Sequence, residues 1–115
     1  MADTSAPETP PHAKARKISD PITLAEPIVR GQQTIESIQL RKPKAGELRG
    51  LSIQELMNAR TSAVLDLLPR ITMPPITQAE ADDIEPEDLA ACSGAIIDFF
   101  LTPADRKAVE KVLNA

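Results

Sequence analysis

A chain of 115 residues with two Phe, no Trp and no Tyr is one domain plus tails, and its core must be built from Ile, Leu, Val, Ala and Met rather than from large aromatic rings. One Cys excludes an internal disulfide, and the opening MADTSAPETPP carries no apolar export signal, so the expected location is the cytoplasm. The net charge of -4 is unevenly spread: residues 1–49 carry eight Lys/Arg against six Asp/Glu, 50–101 two against nine, and 102–115 three against two. An acidic body of this kind argues against a nucleic-acid binder, whose folded part concentrates positive charge. The longest apolar run, AACSGAIIDFFL, is interrupted by Asp98 and falls well short of a bilayer span, so no membrane segment is expected.

Residues 1–20 are rich in Ala, Pro, Ser and Thr around Lys14, Arg16 and Lys17, lack an apolar period, and read as a disordered tail. From Ile22 the residues alternate: Ile22 and Leu24 share a face before Pro27 interrupts the run, which places this strand at a sheet edge or gives it a bulge at Pro27. Arg30-Gly31-Gln32-Gln33 supplies a turn, and Ile35, Ile38 and Leu40 a returning strand. Ile35 is out of phase with the other two, which predicts a bulge near Ser37 or an early register change. An isolated hairpin is marginal in water and must lean on helices or on a neighbouring subunit.

After Pro43 the apolar period lengthens towards 3.6. Ser52-Ile53-Gln54-Glu55 has the spacing of a capping box, and Ile53, Leu56, Met57, Val64, Leu67 and Leu68 form one stripe that predicts a helix stopped by Pro69. Ile71–Pro75 reads as a loop, and Thr77 to Glu80 as a second capping box on a short turn. Pro86 then opens a helix with the stripe Leu89, Cys92, Ile96, Phe99 and Phe100. Thr102-Pro103-Ala104-Asp105 starts a last helix carrying Val109, Val112 and Leu113, which at about twelve residues is marginal alone. The sum is an α+β fold, an N-terminal antiparallel hairpin followed by three or four helices, with residues 21–101 as the domain and 102–115 as a C-terminal helix.

Catalytic chemistry finds no support in the residues. The only His, His12, lies in the tail, Cys92 reads as a buried apolar residue with no base beside it, and Gly31, Gly46, Gly50 and Gly94 make no phosphate-binding motif. Asp82, Asp83, Glu85, Glu87 and Asp88 lack calcium-loop spacing and suit the first turn of a helix without a metal. The basic step Arg41, Lys42, Lys44 and Arg49 has no interleaved aromatics for base stacking and reads as a junction. No catalytic, cofactor-binding or metal residues are expected.

The order of Pro27-Ile28, Gly31, Leu40-Arg41-Lys42-Pro43, the helix Leu56 to Leu68, Pro74-Pro75, Asp88-Leu89 and Phe99-Phe100-Leu101 resembles the tail assembly chaperones of long-tailed bacteriophages, in particular the small tail assembly protein family of contractile-tailed, Mu-like phages. The resemblance covers about residues 22–101. It implies a non-enzymatic factor of the bacterial host cytoplasm that binds the tape measure protein, keeps it soluble, helps recruit tail tube protein, and is absent from the mature virion. The alternatives are a structural tail accessory protein of the virion and a small nucleic-acid-binding regulator.

The apolar stripes exceed what a two-stranded hairpin covers, and the surplus is expected to bind a helical partner or a second copy of the chain. The candidate partner-binding residues are Leu56, Met57, Ile96, Phe99, Phe100, Val109, Val112 and Leu113.

Overall fold

The change of apolar period at Pro43 divides the structure as it divides the sequence, with strands before it and mostly helices after. The computed structural model describes residues 17–113. Strands β1 (Ile22–Arg30) and β2 (Gln33–Leu40) form the antiparallel hairpin, turning at Gly31, whose φ of 56° is one that glycine adopts without penalty. A 3-10 turn (Ala45–Leu48) leads to α1 (Ile53–Met57), α2 (Thr61–Ile71), β3 (Thr72–Met73), α3 (Gln78–Asp82), α4 (Pro86–Phe100) and α5 (Pro103–Leu113). The fold is α+β.

Three features depart from the sequence reading. The sheet has three strands in the order β1-β2-β3, because Leu40 and Gln39 pair with Thr72 and Met73 within the segment expected to be a loop. Two residues are too few to display a period of two. The helix expected over residues 53–68 is two helices: Ala59, at φ 57°, ends α1, the Ala59 N–H donating to the Leu56 carbonyl and the Arg60 N–H to that of Glu55. This is the Schellman pattern, with alanine where glycine is usual. Pro69 does not stop α2, which runs on to Ile71. A proline there leaves the Leu65 carbonyl without its helical donor, and the side-chain amide of Gln78 supplies one at 3.0 Å.

The tail expected to be disordered over residues 1–20 lies, for residues 1–16, outside the described residues. Residues 17–20 are ordered: Ile18 forms a bridge with Arg41, Ser19 N–H donates to the Leu40 carbonyl, and Lys42 N–H donates to that of Lys17. This strap prolongs the hairpin past its first strand.

The expected irregularity in the hairpin is on β1. Its register against β2 shifts between Thr23 and Ile28, so Leu24 to Pro27 form a bulge in the ladder, and Ile35 and Ile38, three residues apart on β2, are both buried. Leu24, Ile28, Ile35, Ile38 and Leu40 join Leu56, Val64, Leu67, Leu68, Ile71, Cys92, Ile96 and Phe99 in one core. Helix α4 spans it, packing on β1 and α1.

Candidate functional site

The buried face of α4 first fixes what the surface can offer. Leu56, Ile96 and Phe99 are at most 2% exposed and belong to the core. Leu56 and Ile96 are closed inside the core and Phe99 reaches only the floor of a cleft, which corrects the place of these three among the exposed partner-binding residues. Met57 and Phe100 are half-buried. Val109, Val112 and Leu113 are 46%, 75% and 77% exposed, and α5 buries no residue. Among the candidates, only the α5 residues form an open apolar face.

Local chemistry explains why α5 forms despite having no buried side. Thr102 Oγ1 accepts from the Asp105 N–H and the Asp105 carboxylate accepts from the Thr102 N–H, both at 3.1 Å, a capping box ahead of Pro103 at the first helical position. These bonds hold the Asp105 carboxyl below its usual range. Arg106 then reaches back to α4, donating to Asp98 Oδ1 at 3.0 Å and to the Asp98 backbone carbonyl at 2.8 Å. Ala108, Val109, Val112 and Leu113 line a shallow apolar depression on this helix.

Other singled-out residues serve the fold. Asp88, read from sequence as a solvated first-turn carboxylate, is 5% exposed and accepts the Ala25 N–H at 2.9 Å. It thereby satisfies a backbone donor of the β1 bulge, from 63 residues away in sequence. Thr77 and Glu80 form the second capping box as expected. Glu80 also receives both Nε and Nη2 of Arg30, at 2.8 and 2.7 Å. That guanidinium, aided by the Thr77 N–H, lowers the Glu80 carboxyl to about 2. The Ser52 box is half formed: Ser52 Oγ accepts from Glu55 N–H, while the Glu55 carboxylate sits 3.9 Å from Arg60 instead.

At the basic junction, Arg41 makes a two-pronged pair with Glu47 and donates to the Arg70 carbonyl, and Arg70 donates in turn to the carbonyls of Glu47 and Arg49. The Arg41 guanidinium of the junction is thus engaged within the fold, together with that of Arg70 from α2. Burial, with the Asp88 carboxylate nearby, pushes the Cys92 thiol up to about 12, so it stays protonated at neutral pH and makes a poor nucleophile. Among the described residues, no three His, Cys, Asp or Glu side chains are grouped to hold a metal ion, and no helix is long and apolar enough to cross a membrane.

A cleft of about 360 Å³ opens between the strap and α4, lined by Ile18, Pro21, Ile22, Ala95 and Phe99, with Lys17 and Asp98 at its rim. Sequence reasoning missed Asp98 as a junction because both its partners, Lys17 and Arg106, are long-range or helix-to-helix contacts without a motif.

The model of a family described as phage tail assembly chaperone proteins, E, or 41 or 14, matches residues 21–101. The chain is 42% identical over 79 residues to tail assembly protein E of Escherichia phage P2, covering 69% of this chain and 87% of that protein. It is 41% identical over 80 residues to tail assembly protein E′ of the same phage, covering 70% of this chain and 56% of that protein. The chain thus spans little more than half of E′. No solved structure matches it.

Proposed function

The chain belongs to the phage tail assembly chaperone family, and from that premise we propose that it is a non-enzymatic assembly factor that binds the tape measure protein and keeps it soluble. On this reading it works in the bacterial host cytoplasm, helps bring tail tube protein to the growing tail, self-associates where its apolar face is unoccupied, and leaves before the virion is mature. The observation that carries it is the open face of Val109, Val112 and Leu113 on a helix that buries nothing against its own body. A tape measure protein offers long amphipathic helices, and such a helix can lay its apolar side against a face of this kind. Half-buried Met57 and Phe100 are the candidates within the matched region.

Each large side chain buried at such a contact contributes roughly 1.5 to 3 kcal/mol before the costs of association. The test is coexpression with the tape measure protein of the same phage, scored by soluble yield. The wild-type chain should raise that yield, and Val112→Asp with Leu113→Asp should lower it. A folded double variant that keeps the tape measure protein soluble at unchanged stoichiometry would remove α5 as the docking surface.

A further inference from the structure

Helix α5 and the strap, the two described segments outside the family match, converge on one side chain of the matched region. Lys17 Nζ donates to Asp98 Oδ2 at 2.6 Å, and Arg106 Nη1 to Asp98 Oδ1 at 3.0 Å. A cation therefore sits on each carboxylate oxygen, which holds the Asp98 carboxyl below its usual range. The two segments differ in what else holds them. The strap is fastened by backbone bonds to residues 40 and 42. Helix α5 has its covalent link, its own cap and the Arg106 contacts.

We propose that Asp98 and Arg106 are the latch of a hinged arm, with α5 swinging about Leu101–Thr102 when the latch opens while the body keeps its fold. Leu101, at φ -72° and ψ 132°, is extended between the two helices, so the joint is a single non-helical residue and the cap that follows it. Moving the arm withdraws no side chain from the core, because α5 contributes none to it. Asp98 is also not orphaned by opening: Lys17 stays on its other oxygen, and the side chains of Asp98 and Arg106 are already 44% and 39% exposed, so water can resolvate them. A closed arm holds its apolar face at one angle to the body, and an open one lets that face follow a partner helix. An anionic side chain on the partner could take Arg106 and open the latch as it docks.

As regulation of the docking face this rests on the function proposed above. The latch itself is tested without any partner, so the two can fail separately. Cysteines introduced by Lys111→Cys on α5 and Thr34→Cys on the hairpin take spin labels, while Cys92, buried and protonated, escapes labelling under native conditions. The distance distribution should be dominated by one narrow peak at low salt. Asp98→Asn, Arg106→Gln, or about 1 M salt, which shrinks the screening length to roughly 3 Å, should each raise the displaced population roughly two- to fivefold. Circular dichroism should show the helix content unchanged. Lys107→Gln, which removes a charge from the same helix without touching Asp98, should leave the distances as in the wild type. Distances that ignore both latch variants and salt would overturn the proposal. So would a broad distribution in the wild type at low salt, or a shift that Lys107→Gln reproduces.

Discussion

The matched body and helix α5 meet end to end at Leu101, yet they are held in place by different forces. The body rests on burial: α4 places Cys92, Ile96 and Phe99 at no more than 2% exposure against the hairpin, α1 and α2. Helix α5 rests on a capping box and one arginine, with its largest apolar side chains turned to solvent. Stability is thus concentrated in the body, while α5 carries three exposed large apolar residues on one short helix, against the separate Val29 and Ile53 on the body. If the proposed docking on α5 holds, the two needs of staying folded and of meeting a partner are met by separate regions.

The largest expected effect breaks the body. Leu56 is fully buried, and Leu56→Ala should lower unfolding free energy by about 2 to 5 kcal/mol through lost transfer energy and the cavity left behind. Urea denaturation measures it. If Leu56→Ala costs no more than Leu113→Ala on α5, the contrast between the regions is false.

Next comes the carboxylate that closes the β1 bulge. Asp88→Ala removes the acceptor of the Ala25 N–H and should cost about 1.5 to 3 kcal/mol, the range for losing a hydrogen bond to a charged group. Asp88→Asn keeps an oxygen on the same reach and should cost less. Equal losses from the two variants would show that charge, rather than the hydrogen bond, is what the bulge requires.

A smaller effect lies in the pH dependence. The Glu80 carboxyl is held at about 2 in the fold against an ordinary value of 4.5. Its depressed value means that its contribution is fully present above about 4.5 and is lost as pH falls from there towards 2, when the native carboxylate is at last protonated. Glu80→Gln still offers an oxygen to the Thr77 N–H but cannot titrate. Its stability should therefore fall less steeply than the wild type over that window in acid titrations followed by circular dichroism. Asp98 and Asp105, both held below their usual range, leave a residual slope of the same sign. Parallel curves would remove Glu80 as a source of acid sensitivity.

What was legible in the sequence follows the range of the interactions. The caps at Thr77 and Thr102 and the helix start at Pro86 are written in adjacent residues and stand where expected. The hairpin and the edge strand broken near Pro27 are local too. The split between α1 and α2 was hidden because Ala59 takes a left-handed conformation with no glycine to announce it. The run of α2 past Pro69 depends on Gln78, nine positions further on, and the burial of Asp88 on Ala25 across the fold. The open α5 face was legible as an apolar stripe on a short terminal helix. That Leu56, Ile96 and Phe99 close the core was not, since periodicity marks which residues share a face but not what covers it.

The smallest expected change is the one that isolates α5. Val112 and Leu113 are about three-quarters exposed, so Val112→Asp with Leu113→Asp removes little that the native state buries. Neither side chain carries a core contact, and the helix keeps its cap at Thr102 and its tie to Asp98. Carboxylates near a helix C-terminus oppose its dipole and should fray the last turn. That loss stays local, because nothing in the body packs on those side chains. Urea unfolding of the body should therefore move by no more than about 0.5 kcal/mol, the usual range for surface substitutions, with an unchanged slope against denaturant. Sedimentation at matched concentrations should meanwhile show less self-association than the wild type, if copies meet through this face. A loss of more than about 1 kcal/mol would mean that α5 supports the body after all, well beyond the surface range. In that case the division between a stabilising region and a presenting one would fall.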